Sequence, residues 1–100
     1  MDNVQLRLND KGRGHFFIAE GDKEIAVMEI GITEAGITVY HTEVVPEAEG
    51  RGLGRQLLNS LVAYARRHHL KVVKIFCIYA HGQFKKHWEE FADIWDREEK

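Results

Sequence analysis

The sequence predicts an α+β fold in which a mixed sheet packs against helices. Through roughly the first 45 positions apolar residues alternate with polar ones, and after Pro46 they recur at helical spacing. Short connections between the early extended segments favour an antiparallel meander of about four strands. A helix and a further strand follow, and this crossover makes at least one strand pair parallel.

Four extended segments make up the predicted meander, separated by turns that contain glycine or charged residues. They cover residues 4–8, 15–20, 24–30 and 36–45. In the last segment, strand alternation predicts that Ile37, Val39 and His41 share one face. Thr38 and Tyr40 then lie on the opposite face.

The second half of the chain is predicted to be mainly helical. Leu53, Leu57 and Leu61 begin an apolar stripe that predicts an amphipathic helix of about four turns, ending near His68. Residues 71–77 are rich in valine and isoleucine and read as a strand. Apolar residues then return to helical spacing, which predicts C-terminal helical structure with a packed stripe formed by Phe84, Trp88, Phe91, Ala92 and Trp95.

Composition narrows the class of protein. The 100 residues are 44% hydrophobic and 30% charged, which is the balance expected of a single globular domain covering residues 1–100. The formal net charge of -2 lacks the basic surplus of a nucleic-acid binder. No segment approaches the roughly 18 apolar residues of a membrane span, and the N-terminus lacks a secretory signal pattern. Together with the single cysteine, these features predict a cytoplasmic protein.

The most informative segment is the glycine loop, residues 49–55, between the meander and the first helix. Gly50, Gly52 and Gly54 allow a sharp turn and let an anion approach the free amides at the helix start. The pattern therefore predicts a phosphate or pyrophosphate site. A Walker loop would require Gly-Lys-Ser/Thr where this chain has Gly-Arg-Gln, and the GxGxG spacing differs from the dinucleotide fingerprint.

Three segments in this order resemble the GNAT superfamily of N-acetyltransferases, in particular its small, truncated members. They are residues 41–46 (HTEVVP), the glycine loop, and residues 77–80 (CIYA) ahead of an aromatic helix. The loop is similar to the acetyl-CoA pyrophosphate signature of the family, Gln/Arg-x-x-Gly-x-Gly/Ala, except that Glu49 replaces the first residue. A carboxylate there is expected to repel the pyrophosphate, and Arg51 and Arg55 are expected to compensate.

The resemblance implies where acetyl-CoA binds. The sheet would splay between the strand ending near Val45 and the strand ending near Cys77, and the cofactor would enter that split. The implied cofactor-binding residues are Thr42, Glu43, Val44, Val45, Gly50, Arg51, Gly52, Leu53, Gly54, Arg55, Tyr79 and Lys85.

The resemblance also implies which residues take part in acetyl transfer, namely Cys77 and His41. Two routes stay open. A base can deprotonate an amine that attacks the thioester directly, or Cys77 can be acetylated first and pass the group on. No metal is predicted, because the six-residue spacing of His81 and His87 matches no same-face ligand pair on a helix.

The predicted function is therefore an acetyl-CoA-dependent N-acetyltransferase with a primary amine as acceptor. The alternative is a non-catalytic module that binds acyl-CoA or another protein through the same fold. The expected partners are acetyl-CoA or CoA and an unidentified amine, which includes a protein or peptide, but neither nucleic acid nor a membrane. A monomer or weak homodimer is expected. A chain of 100 residues leaves little room for an acceptor pocket of its own, which favours a large, exposed or partner-supplied acceptor.

Overall fold

A computed structural model describes residues 3–97 as a mixed five-stranded sheet with helices, which confirms the predicted α+β class. The strands are β1 (Val4–Leu8), β2 (Arg13–Glu20), β3 (Lys23–Thr33), β4 (Gly36–Val44) and β5 (Val72–Ile75). The α-helices are α1 (Leu53–Arg67), α2 (Ile78–Lys86) and α3 (Trp88–Phe91), and a 3-10 turn at Pro46–Ala48 precedes the glycine loop. None of the helices in this part of the chain has the length and apolar content needed to cross a membrane.

The sheet opens between β4 and β5. Strand order follows the sequence, and the first four strands form the predicted antiparallel meander, whereas β4 and β5 are parallel because α1 crosses between them. β5 pairs with β4 only from Ile37 to Val39, and the Phe76 N–H then donates to the Val39 carbonyl oxygen at 2.8 Å. Since β4 continues to Val44 while the other chain segment turns into α2, a gap separates the two beyond this point. We call this gap the wedge.

A β-bulge in β4 decides which side chains face the helices. Ile30 pairs with Val39 and Glu29 pairs with His41, so Tyr40 has no opposite residue. An extra residue reverses the alternation of side chains along a strand. The prediction that His41 shares a face with Val39 is therefore wrong, and His41 lies on the exposed outer face of the sheet.

Helix α1 covers the inner face of the sheet and fixes the position of the glycine loop. Its apolar stripe is buried as predicted, and Leu57, Leu58, Leu61 and Ala65 have no exposed surface. Full burial of a leucine side chain stabilises the folded state by about 1.5–3 kcal/mol relative to leaving it exposed. The first turn of the helix, which begins at Leu53, is therefore anchored against the sheet.

The C-terminal region departs from the continuous helical stripe predicted for it. Phe84, Phe91 and Trp95 form the predicted aromatic core, with ring centroids 4.9 Å apart for the first pair and 5.4 Å for Phe84 and Trp95. Trp88 was expected in the same core, but it is 50% exposed. Trp95 lies beyond the last helix, where its backbone pairs with the outer edge of β5 and forms a parallel bridge with Val72.

The end of α1 allows a test of local strain. His69 has a φ of 57°, and the Leu70 N–H donates to the Ala65 carbonyl oxygen at 2.9 Å, a helix ending in which glycine is favoured. We expect His69→Gly to raise the free energy of unfolding by about 0.5–1 kcal/mol, since relief of the left-handed strain exceeds the entropy that glycine loses. Urea unfolding measures the change. His68→Gly is the control, because His68 has a negative φ of -99° and should gain nothing. Equal losses in both variants would contradict this account of the strain.

Candidate functional site

A pocket of about 400 Å³ lies at the inner side of the wedge, between the end of β4, the glycine loop and the start of α2. Its walls contain most of the residues that the sequence implied for cofactor binding. The lining residues are Thr42, Val44, Ala48, Glu49, Gly50, Gly52, Leu53, Gly54, Arg55 and Tyr79. We call this space the wedge pocket.

Four residues implied for the cofactor do not line the wedge pocket. Glu43 lies on the outer face of β4 with an exposed carboxylate, and Lys85 is exposed on α2. The Val45 N–H donates to a β3 carbonyl oxygen at 2.9 Å, so its amide points away from the wedge. Arg51 forms an ion pair across the loop, with 2.7 Å between its Nη2 atom and a carboxylate oxygen of Glu20.

The backbone of the glycine loop has a conformation that suits an anion. Gly50 and Gly52 have φ values of 86° and 74°, a left-handed conformation that glycine adopts without strain. Gly52 is also the N-cap of α1 and provides no side chain to cap the first-turn amides. A Cβ at either position would meet nothing within 4 Å, so the space beside the loop is open. Uncapped amides at the positive end of a helix dipole attract anions.

Strand β4 presents to the same pocket backbone groups that pair with no other strand among residues 3–97. The Val45 N–H donates to the Ile25 carbonyl oxygen, and consecutive residues of a strand direct their backbone groups to opposite edges. The amide and carbonyl of Val44 therefore point into the wedge, and so do those of Thr42. β5 ends before it can pair with them. An extended ligand with amide groups can pair with this edge.

Tyr79 forms the wall of the wedge pocket opposite β4. Its ring rests on the first turn of α1, because a Cβ at Gly54 would lie 3.3 Å from the Tyr79 Cζ atom and 3.4 Å from its hydroxyl oxygen. Partial burial raises the pKa of Tyr79 above the ordinary tyrosine value, and the positive charge of Arg55 partly offsets the rise. The hydroxyl is therefore protonated at neutral pH and is able to donate a hydrogen bond or a proton.

Two charged side chains, Arg55 and Glu49, line the wedge pocket. Arg55 Nε donates to the Asn59 Oδ1 atom at 3.0 Å, and its Nη2 atom lies 3.6 Å from a carboxylate oxygen of Glu90. Glu49 lines the same pocket and adds a negative charge near the loop amides. An anionic ligand would therefore meet both a favourable backbone cradle and an unfavourable carboxylate.

Cys77 lies at the end of the wedge where β5 leads into α2. It is the N-cap of α2 and is 5% exposed. Its sulfur accepts a hydrogen bond from the Ala80 N–H at 3.5 Å, and its S–H donates to the Thr42 Oγ1 atom at 3.1 Å. The sequence indicated only a cofactor contact for Thr42. The Thr42 side chain faces Cys77 because of the bulge at Tyr40, which the alternating pattern does not reveal.

His41 lies on the other side of the sheet from Cys77. Its side chain is 58% exposed, and its Nε2 atom lies 3.7 Å from a carboxylate oxygen of Glu43. Glu29 is its cross-strand neighbour on β3. The resemblance implied His41 and Cys77 together for acetyl transfer, whereas the structure brings the Thr42 side chain to the thiol, because the bulge reverses the direction of the side chains. Cys77 and His41 therefore border the wedge from opposite faces.

The histidines and Cys77 do not form a metal centre in the described part of the chain. Across residues 3–97, no group of three or more His, Cys, Asp or Glu side chains is arranged to hold a metal ion. His81 packs edge-on against Trp95, with ring centroids 6.3 Å apart, and His87 packs in the same way against Phe91. Both histidines therefore pack against aromatic rings.

Comparisons with known proteins agree with this geometry. A family model described as GCN5-related N-acetyl-transferase matches residues 15–94. A solved structure from Desulfovibrio desulfuricans, of a protein assigned to the GNAT family of acetyltransferases, superimposes with a TM-score of 0.55 and 24% sequence identity, which shows a shared fold. The match covers 79% of this chain and 54% of that protein, so the chain spans about half of its length. A comparison with curated proteins found no match. On the family match, which takes in both sides of the wedge and the glycine loop, the chain belongs to the GCN5-related N-acetyltransferase family.

Proposed function

We propose that the chain binds acetyl-CoA in the wedge pocket and transfers the acetyl group to a primary amine. One observation carries the proposal: an uncapped helix N-terminus and an unpaired strand edge line the same pocket. The helix N-terminus suits a pyrophosphate. The strand edge suits the two amide groups of pantetheine. Membership of the family supplies the class of reaction.

Each part of the pocket has a role in holding acetyl-CoA. The amides from Gly50 to Arg55 bind the pyrophosphate through the left-handed loop and the helix dipole. The backbone groups of Thr42 and Val44 pair with pantetheine as an added strand would. This arrangement directs the thioester toward Tyr79 and toward Cys77. Cys77 lies at the closed end of the wedge, next to the point where β5 stops pairing with β4.

Acid and base groups for direct transfer lie on opposite sides of the sheet. His41 faces solvent, where an amine approaches, and takes the proton that the amine loses as its nitrogen attacks the thioester carbonyl. The C–S bond then breaks, and Tyr79 donates its proton to the departing CoA thiolate. A route in which His41 activates Cys77 requires the two side chains to meet, and they point away from each other across the bulge. We therefore favour direct transfer.

A second candidate function is acyl-CoA binding without turnover. The position of His41 favours it, because the imidazole is exposed on the outer face of the sheet and is not held beside Cys77. The rim charges bear on affinity in either function, since Glu49 lies near the loop amides and both Arg51 and Arg55 are paired with carboxylates. They do not alter the backbone cradle.

Calorimetric titration with acetyl-CoA and with CoA, followed by acetylation assays on a panel of primary amines, tests both functions. Binding together with turnover of any amine supports the transferase. Saturable binding without turnover across the panel supports the acyl-CoA-binding module. Failure of both ligands to bind at high micromolar concentration contradicts both.

Glu49 should limit the affinity for CoA. We expect Glu49→Gln to lower the dissociation constant of CoA by up to about fivefold at low salt, because an exposed carboxylate repels a nearby pyrophosphate by about 1 kcal/mol or less. Calorimetry at increasing salt measures the difference, which should shrink as the charges are screened. Glu47→Gln is the control, since Glu47 pairs with Lys23 outside the pocket. Equal effects of the two substitutions would show that overall charge, and not the position of Glu49, sets the affinity.

A further inference from the structure

We propose that Thr42 is a positioning residue whose hydroxyl holds the Cys77 sulfur and so fixes the closed end of the wedge where the thioester binds. The inference rests on the proposed transferase function, and it assigns the Thr42 side chain a task separate from that of its backbone. The chain thus uses one residue for two purposes, cofactor pairing and wedge geometry.

The contact between Thr42 and Cys77 lies where β4 and β5 are no longer joined by backbone hydrogen bonds. The last of these bonds among the described residues joins Phe76 to Val39. Three positions further along β4, a hydrogen bond of 3.1 Å between Cys77 Sγ and Thr42 Oγ1 reconnects the two sides of the wedge. This side-chain contact therefore joins Thr42 to the start of α2 where backbone pairing has ended.

The sulfur is held from two directions. The Ala80 N–H donates to it from the first turn of α2, and the Thr42 hydroxyl oxygen accepts its proton from β4. Since Cys77 is 5% exposed, water does not readily replace the hydroxyl as hydrogen-bond partner. Loss of the hydroxyl should free the sulfur on the side that faces the wedge.

Two substitutions at this position separate hydrogen bonding from packing. Thr42→Val keeps the side-chain volume and the backbone groups but removes the hydroxyl. Thr42→Ser keeps the hydroxyl and removes a methyl group. Thr38→Val is the matched control on the same strand, because Thr38 precedes the bulge and lies outside the wedge pocket. Urea unfolding of each variant verifies that all are compared as folded proteins.

Alkylation by iodoacetamide without cofactor tests the contact directly, because Cys77 is the chain's single cysteine. We expect Thr42→Val to react about 2- to 10-fold faster than the wild type, which corresponds to the loss of one hydrogen bond. Thr42→Ser and Thr38→Val should react at the wild-type rate. An unchanged or slower rate in folded Thr42→Val would overturn the proposal.

Steady-state kinetics test the consequence for transfer. Thr42→Val should lower kcat about 10- to 100-fold, because a displaced thioester is poorly aligned for attack. The dissociation constant of CoA should stay within about twofold of the wild type, since the backbone edge is retained. Thr42→Ser should restore kcat. If the wild type acetylates no amine, the proposed transferase function fails, while the alkylation rates still decide whether Thr42 holds the sulfur.

Discussion

Replacement of Phe84 by alanine is expected to lower the free energy of unfolding by about 3–5 kcal/mol. Phe84 has no exposed surface, and its ring packs against the rings of Phe91 and Trp95. It therefore joins α2 to α3 and to the segment that pairs with the edge of β5. Truncation removes most of these contacts and leaves a cavity that the surrounding rings fill only in part.

Phe76→Ala is the matched control for this prediction. It deletes the same atoms from a ring that is 63% exposed and stacks on Tyr40 at 6.0 Å. We expect it to cost about 1 kcal/mol or less. Urea unfolding measures both variants. Similar losses in the two would contradict the assignment of Phe84 as the core residue that anchors α2, and with it Cys77 and Tyr79.

Tyr79→Phe is expected to lower kcat for acetyl transfer about 100-fold while CoA binding changes little. The substitution keeps the ring against Gly54 and removes only the hydroxyl that we propose protonates the departing thiolate. General acid catalysis contributes about 10²- to 10⁴-fold, and the lower figure applies where water replaces part of the effect. Steady-state rates at saturating acetyl-CoA, with the dissociation constant measured separately, give the split between kcat and binding.

The pH profile distinguishes a proton donor from a residue that only packs. Because burial raises the pKa of Tyr79, the hydroxyl holds its proton at neutral pH and loses it only in strongly alkaline solution. The wild-type rate should therefore fall at high pH, and this fall should be absent in Tyr79→Phe. Tyr64→Phe, altered on the far half of α1, should keep the wild-type profile. A wild-type kcat in Tyr79→Phe would show that the Tyr79 hydroxyl takes no part in the reaction.

The elements of the fold were accessible from the sequence because each has a strong local signal. Alternation predicted the meander, and the leucine stripe from Leu53 to Leu61 predicted α1 and its buried face. The turn at the glycine loop was equally predictable, because Gly50 and Gly52 adopt left-handed φ values that favour glycine. All residues of the loop except Arg51 line the wedge pocket.

The partner of Cys77 was not accessible from the sequence. It depends on the bulge at Tyr40, and a bulge is fixed by how β4 pairs with β3, which the alternating pattern of one strand does not contain. One extra residue exchanges His41 for Thr42 beside the thiol. The pattern of one strand therefore does not identify Thr42 as the side chain that contacts the thiol.

Tertiary contacts also overrode the helical period near the C-terminus. Trp95 continues the spacing of Phe84 and Phe91, yet its backbone pairs with Val72 at the open edge of β5. The Val72 N–H donates to the Ile94 carbonyl oxygen at 2.6 Å. Backbone pairing at an otherwise open strand edge outweighs the modest preference of one residue for a helix.

If the uncapped start of α1 and the open edge of β4 together bind CoA, an NMR titration of the ¹⁵N-labelled chain with CoA will locate the ligand at both. We expect the largest amide shift changes at Gly50, Gly52 and Gly54 of the loop and at Thr42 and Val44 of β4. Changes centred elsewhere, for example in the groove between β1 and α1 around Gln5 and Tyr64, would contradict it. So would a spectrum that saturating CoA leaves unchanged.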